Sequence, residues 1–161
     1  MTAAVTGGHH RVGGSRCRSD SVDLAAHPAV VAQARLRSRL VLRDWGLETR
    51  SEPVAQVVSE LVGNAVQATR DAGLNAGIRL TLTADDSGIV VAVWDAAPAR
   101  PSPALLAPSL LAPAEPDLDS EHGRGLLIVA ALSESYGVVP VSPAHGGGKI
   151  VRARIALSGA R

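Results

Sequence analysis

Ser59-Glu60-Leu61-Val62-Gly63-Asn64-Ala65-Val66 lies inside a longer run, Ser51 to Asp71, in which Val54, Val57, Val58, Leu61, Val62 and Ala65 recur at helical spacing. Ser51 is placed to cap this helix and Pro53 fits its first turn. Glu60, Asn64, Gln67 and Asp71 share the polar flank. A stack of acids and amides on one side is, by itself, more often just a solvated surface, so the rest of the chain must supply the context. Positions i and i+4 are neighbours on a helix, so Glu60 and Asn64 reach into one small volume.

The surrounding chain supplies the other elements. Upstream, Pro28 to Trp45 reads as a surface helix, with Val30, Ala34, Val41 and Trp45 on one stripe, Arg35, Arg39 and Arg43 on another, and Gly46 placed to end it. Val22 to Leu24 just before it reads as a short strand. Downstream, Ile78, Leu80 and Leu82 alternate with polar residues, Asp85-Asp86-Ser87-Gly88 makes a turn, and Ile89 to Trp94 is continuously apolar, which predicts a β-hairpin with a central second strand. From Ala96 to Ser120 six of the ten prolines appear with little periodicity, the character of a lid or binding loop. Gly123-Arg124-Gly125-Leu126 then opens an apolar helix through Leu132, and strands follow near Tyr136 to Val141 and Lys149 to Leu157. In the last of these Val151, Ala153, Ile155 and Leu157 alternate with Arg152 and Arg154, the period of a sheet with one covered face. The expected architecture is α+β, a two-layer α/β sandwich whose sheet is mixed or mostly antiparallel with helices on one face.

Composition bounds the function. The chain has 161 residues, 46% of them apolar, enough for a single core. A net charge of +1 and three aromatic residues argue against a nucleic-acid surface. Fifteen arginines stand against one lysine, a bias that reads as codon usage rather than phosphate chemistry. One cysteine, Cys17, forms no internal disulfide, and no apolar run approaches the ~18 residues of a membrane span, so a cytoplasmic protein is expected. Residues 1–20, rich in glycine and carrying His9-His10, read as a disordered arm before a single domain over 21–158, with its lid at about 96–120.

Three separated motifs carry chemistry. An amide oxygen such as that of Asn64 suits Mg²⁺, a hard ion held by one or two protein oxygens together with substrate phosphates. Glu60, one turn away, is then placed to accept a proton from an attacking hydroxyl. Asp95 ends the apolar strand as an acceptor suited to the exocyclic amine of adenine, although Asp is also frequent where strands simply end. Gly123 and Gly125 permit close backbone approach, and the free amides at the start of the following helix form an anion site, with Arg124 beside them.

Taken together, these residues resemble the GHKL ATP-binding fold, and within it the anti-sigma-factor serine-kinase branch of the histidine-kinase-like ATPases. The resemblance covers roughly Ser21 to Leu157. It rests on Ser59 to Val66 for the N box, Val93-Trp94-Asp95 for the adenine-site strand, and Glu121-His122-Gly123-Arg124-Gly125-Leu126 for the second glycine motif. It implies a Bergerat-type site for ATP, with Mg²⁺ on Asn64, Glu60 as catalytic base, Asp95 on adenine, and Gly123, Arg124, Gly125 and Leu126 at the phosphates and lid. Lys149, after Gly146-Gly147-Gly148, matches the start of the family's last strand, and the resemblance implies that it belongs to the nucleotide-binding residues. Two departures stand out: Ala97 where many members have glycine, and Ala68 where the usual residue is histidine. An alanine forced to positive φ costs of order 1 kcal/mol, which would weaken nucleotide affinity.

The resemblance implies a regulatory serine/threonine kinase acting in transcription regulation. Its partners would be an anti-sigma antagonist, which it phosphorylates, and a sigma factor, with homodimerisation and with no direct nucleic-acid or membrane contact. A second reading is an ATP-gated protein-binding switch with little phosphoryl transfer, in which the Arg35, Arg39 and Arg43 face docks an acidic partner. A detached histidine-kinase catalytic domain is a third, disfavoured because no dimerising phospho-acceptor helix region is recognisable.

Overall fold

The computed structural model describes residues 5–12, 15–99 and 121–157, with side chains described for 17–99 and 125–157. Six strands form one sheet: β1 (Val5–Val12), β2 (Ser15–Ala25), β3 (Gly77–Ala84), β4 (Gly88–Asp95), β5 (Ser135–Pro140) and β6 (Lys149–Ala156). Their order is β1-β2-β3-β4-β6-β5, and every pairing is antiparallel, so no mixed pairing occurs among the described residues. The helices are α1 (Val30–Asp44), α2 (Ser51–Asp71) and α3 (Glu121–Leu132). The fold is α+β.

The two layers meet on alternating strand residues. Leu80, Leu82, Val91, Val93, Ala153 and Ile155 point inward and share one buried cluster with Val54, Val57, Val58, Leu61, Val62, Ala65 and Val66 of α2. α2 is therefore the central helix, with α1 and α3 packed beside it. Arg50 ties its beginning to the far end of the sheet, donating from Nε and Nη2 to the carbonyl of Leu157 at 3.0 and 2.6 Å. The opposite sheet face carries Arg79, Thr81, Ala92, Trp94 and Ile150, which line an open concavity of about 430 Å³. The hairpin turn before β4 is fastened by Asp85, whose Oδ1 accepts from the amides of Ser87 and Gly88, both at 2.8 Å.

One expectation is corrected at the N-terminus. Residues 5–12 and 15–20, read as part of a disordered arm, are strand: β1 pairs with β2 from Val5↔Val22 to Val12↔Ser15, and β2 with β3 from Arg18↔Ala84 to Ala25↔Gly77. Ladder hydrogen bonds come from the backbone, so a glycine-rich, polar stretch can pair without an apolar pattern. The polar residues of β2 find distant partners instead. Asp20 accepts two bonds from Arg37 of α1, at 3.0 and 2.7 Å; Ser21 meets Thr81 at 2.8 Å; and Asp23 takes Arg79 at 2.6 Å.

The third helix begins earlier than the sequence reading placed it. α3 starts at Glu121, so Gly123 and Gly125 lie within its first two turns rather than ahead of it. Most of the lid expected at 96–120, from residue 100 on, lies outside the described residues. Among the described residues no helix is long and apolar enough to cross a membrane.

Candidate functional site

The polar flank of α2 divides into two kinds of residue. Gln67 and Asp71 are exposed and bond each other, Gln67 Nε2 donating to Asp71 Oδ1 at 2.6 Å, which is ordinary helix-surface chemistry. Glu60 and Asn64 are half-buried, one turn nearer the start of the helix. Glu60 faces α3: a Cβ built on Gly125 would stand 2.5 Å from Glu60 Oε2 and 3.5 Å from Cδ. The second glycine motif thus leaves the room that the Glu60 carboxylate occupies. Gly123 lies in the first turn of α3, whose amides have no acceptor within the helix, while Gly125 lies beyond that turn. The side chain of Arg124 lies outside the described residues, and Leu126 packs against the core.

Asp95 ends β4 on the inward face of the sheet with its side chain fully buried. Its two oxygens are used differently. Oδ1 accepts from the Lys149 ammonium at 2.7 Å and from the Ala97 amide at 3.0 Å, whereas Oδ2 is buried with no hydrogen-bond partner among the described residues. Burial pushes the Asp95 carboxyl above the ordinary carboxylate range, and the hydrogen bond and charge of Lys149 pull it back. A buried carboxylate oxygen without a donor is costly, and such a group calls for a ligand that donates to it. The amine of adenine is a donor of that kind, so the residues present fit the nucleotide that the strand motif implies.

The ammonium of Lys149, a residue expected at the nucleotide, lies on Asp95 Oδ1 and within 3.4 Å of the Ala97 carbonyl. The pairing follows from register, because Asp95 and Lys149 stand directly opposite each other on β4 and β6. The two are 54 residues apart in the chain, which is why neither motif pointed to the other. Gly148 belongs to the same construction. Its φ is +79°, and a Cβ there would collide with the carbonyl oxygen of Asp95 and lie 2.8 Å from Cα of Ala96. Ala97 carries no backbone penalty, since no non-glycine residue among those described has positive φ, and its amide is one of the two donors on Asp95.

The structure therefore brings Glu60 to Gly125 on one side of α2, and Asp95 to Lys149, Gly148 and Ala97 at the ends of β4 and β6. Asn64 lies on α2 one turn beyond Glu60, with no side-chain hydrogen bond to a described residue drawing its amide away. Thr69, unmarked in the sequence, is fully buried on the same helix, and its hydroxyl has no partner among the described residues. A threonine on an apolar helix face looks like a core residue, so no sequence signal marked it.

A search of curated proteins finds no match. Residues 24–155 match the histidine kinase-like ATPase domain, from the last residues of β2 to the end of β6, so the match spans α2, β4 and the glycine motif of α3 alike. The chain belongs to the histidine kinase-like ATPase family.

Proposed function

We propose that this chain is an ATP-binding regulatory protein of anti-sigma-factor type, a serine/threonine kinase that transfers the γ-phosphoryl group of ATP to a small antagonist protein. The observation that carries the reading is the buried Oδ2 of Asp95, unpartnered among the described residues, an acceptor matched to a base amine, at the end of a sheet covered by the helix bearing Glu60 and Asn64. Asn64 would hold Mg²⁺ through its amide oxygen, and the ion when bound there neutralises phosphate charge. Glu60 accepts the proton of the incoming serine hydroxyl. Gly123 in the first turn of α3 offers its amide to the phosphates, and Gly125 keeps Glu60 in place. Incubation with labelled ATP and candidate antagonists should label the antagonist, and labelling that survives Glu60→Ala would rule out the base.

A second reading, an ATP-gated docking protein with negligible transfer, is favoured by α1. Leu36 is 58% and Leu40 41% exposed, one turn apart on its outer face, beside Arg35. Arg39 and Arg43 contribute less, because Arg39 is held by Glu52 at 2.8 Å and Arg43 lies 3.9 Å from Asp44. Sigma factor and antagonist are the partners proposed for such a face, and self-association into a homodimer is proposed with them. Arg35→Glu should weaken partner binding while leaving nucleotide binding unchanged; equal partner affinity would discard the docking face.

A further inference from the structure

Among the described residues Asp95 has two donors on one oxygen and none on the other, although both oxygens are chemically the same. Lys149 reaches Oδ1 at 2.7 Å from the strand directly opposite, and the Ala97 amide reaches the same oxygen at 3.0 Å from two residues along the chain. The Lys149 side chain is 15% exposed and that of Asp95 is fully buried, so solvent does little to replace either contact. The Gly148 backbone lies close against the Asp95 carbonyl, with no room there for a Cβ. The carboxylate is held by one oxygen, and the other oxygen is left bare.

We propose that Lys149 is a positioning residue for base selection. Together with the Ala97 amide it occupies Oδ1 and fixes the carboxylate plane, so that Oδ2 is the single reading atom and the site accepts a purine triphosphate with an amine at position 6 and rejects one with a carbonyl there. This rests on the reading of Asp95 as the base contact and adds to it the residue that makes the contact selective. A 6-carbonyl would set two acceptors against each other in a buried place, and an unsatisfied buried acceptor costs of order ten- to a hundredfold in affinity.

An amide in place of the carboxylate breaks the symmetry of the two oxygens and exposes the role of Lys149. An ammonium can only donate, so the amide oxygen of Asp95→Asn must face Lys149 and Ala97, and its NH₂ then takes the place of Oδ2. The site becomes a donor and should prefer the 6-carbonyl base.

The test is titration of the full chain with Mg-ATP and Mg-ITP, each variant first checked by thermal melting. The unaltered chain should favour ATP by at least about tenfold, and Asp95→Asn should reverse the order. Lys149→Met should shrink the ATP preference severalfold and Lys149→Arg should restore it, a rescue that a merely structural lysine would not show in the ratio of two nucleotides. An ATP preference unchanged in Lys149→Met overturns the role of Lys149 and leaves the site standing. If Lys149→Met does not fold, Asp95→Asn decides, because it keeps the lysine: binding without reversal overturns the proposal. Binding of neither nucleotide by the folded, unaltered chain removes the site and the proposal together.

Discussion

Gly125 of α3 stands so close to Glu60 of α2 that the space where its side chain would begin is already held by a carboxylate oxygen, 2.5 Å away. The contact joins two motifs that are 65 positions apart in the sequence, Glu60 and Gly125, and it gives the second glycine a duty other than phosphate contact. Because the obstructing atom is the free end of a flexible side chain, a methyl group there would swing the carboxylate aside rather than push the helices apart.

Gly125→Ala should therefore change stability little, since the strain of moving one side chain is set against a gain of up to ~1 kcal/mol in helix propensity. Phosphoryl transfer should fall sharply, toward the loss of about 10²- to 10⁴-fold that removal of a general base brings. In a Glu60→Ala background the same change should add nothing further. Transfer rates and melting temperatures of the two single variants and the double variant check this, and additive losses would show that the glycine acts elsewhere.

Gly148 is a different case, because backbone atoms fill the space its Cβ would need and its φ is +79°. Gly148→Ala should cost about 1–3 kcal/mol from the collision, beyond the ~1–2 kcal/mol of the left-handed backbone. Gly146 provides the control: its φ is +99° with nothing within 4 Å, so Gly146→Ala should incur the backbone cost alone. Denaturant midpoints of the two variants measure the difference, and Gly148→Ala should also weaken nucleotide binding by moving Asp95.

Asp85 makes stability depend on acid. The Ser87 hydroxyl, first, then the amides of Ser87 and Gly88 and the Arg154 guanidinium hold its carboxyl well below the usual carboxylate range. The unfolded chain titrates near the ordinary value of about 3.9, so the contribution of Asp85 is complete above that pH and is lost as pH falls below it toward the folded value. The side chain is 41% exposed, so screening keeps its worth to roughly 1 kcal/mol. Asp85→Ala should lower the denaturation midpoint at pH 7 and differ less from the unaltered chain near pH 3. A gap that widens on acidification would contradict the sign.

Much of this arrangement was legible in the sequence where periodicity is strong. The α2 run from Ser51 to Asp71 was marked by its apolar stripe, and the structure has the same bounds, but Ser51 does not cap it: Arg50 stands at the N-cap and makes no side-chain capping bond. The β3–β4 hairpin was marked by Asp85-Asp86-Ser87-Gly88, whose side chain and amides make the turn. β2 was seen only at Val22 to Leu24, because its polar residues are satisfied by Arg37 and Arg79 across the fold, and such partners leave no local trace. The same holds for the site. Glu60, Asn64 and Asp95 could be chosen from helical spacing and strand position, but the division of labour between the Asp95 oxygens depends on Lys149 arriving opposite it in the β4–β6 register. That is a property of the sheet, not of either segment.

The central claim is that Asp95 and the α2 pair serve one bound nucleotide, and thermal melting with Mg-ATP tests it most directly. At a concentration about 100 times the dissociation constant the ligand should add ~2.7 kcal/mol, a rise of several degrees for a domain of this size. The rise should shrink with chelator or Asn64→Ala and vanish in a folded Asp95→Ala. No rise at millimolar Mg-ATP, or a rise unaltered by Asp95→Ala, would contradict the account.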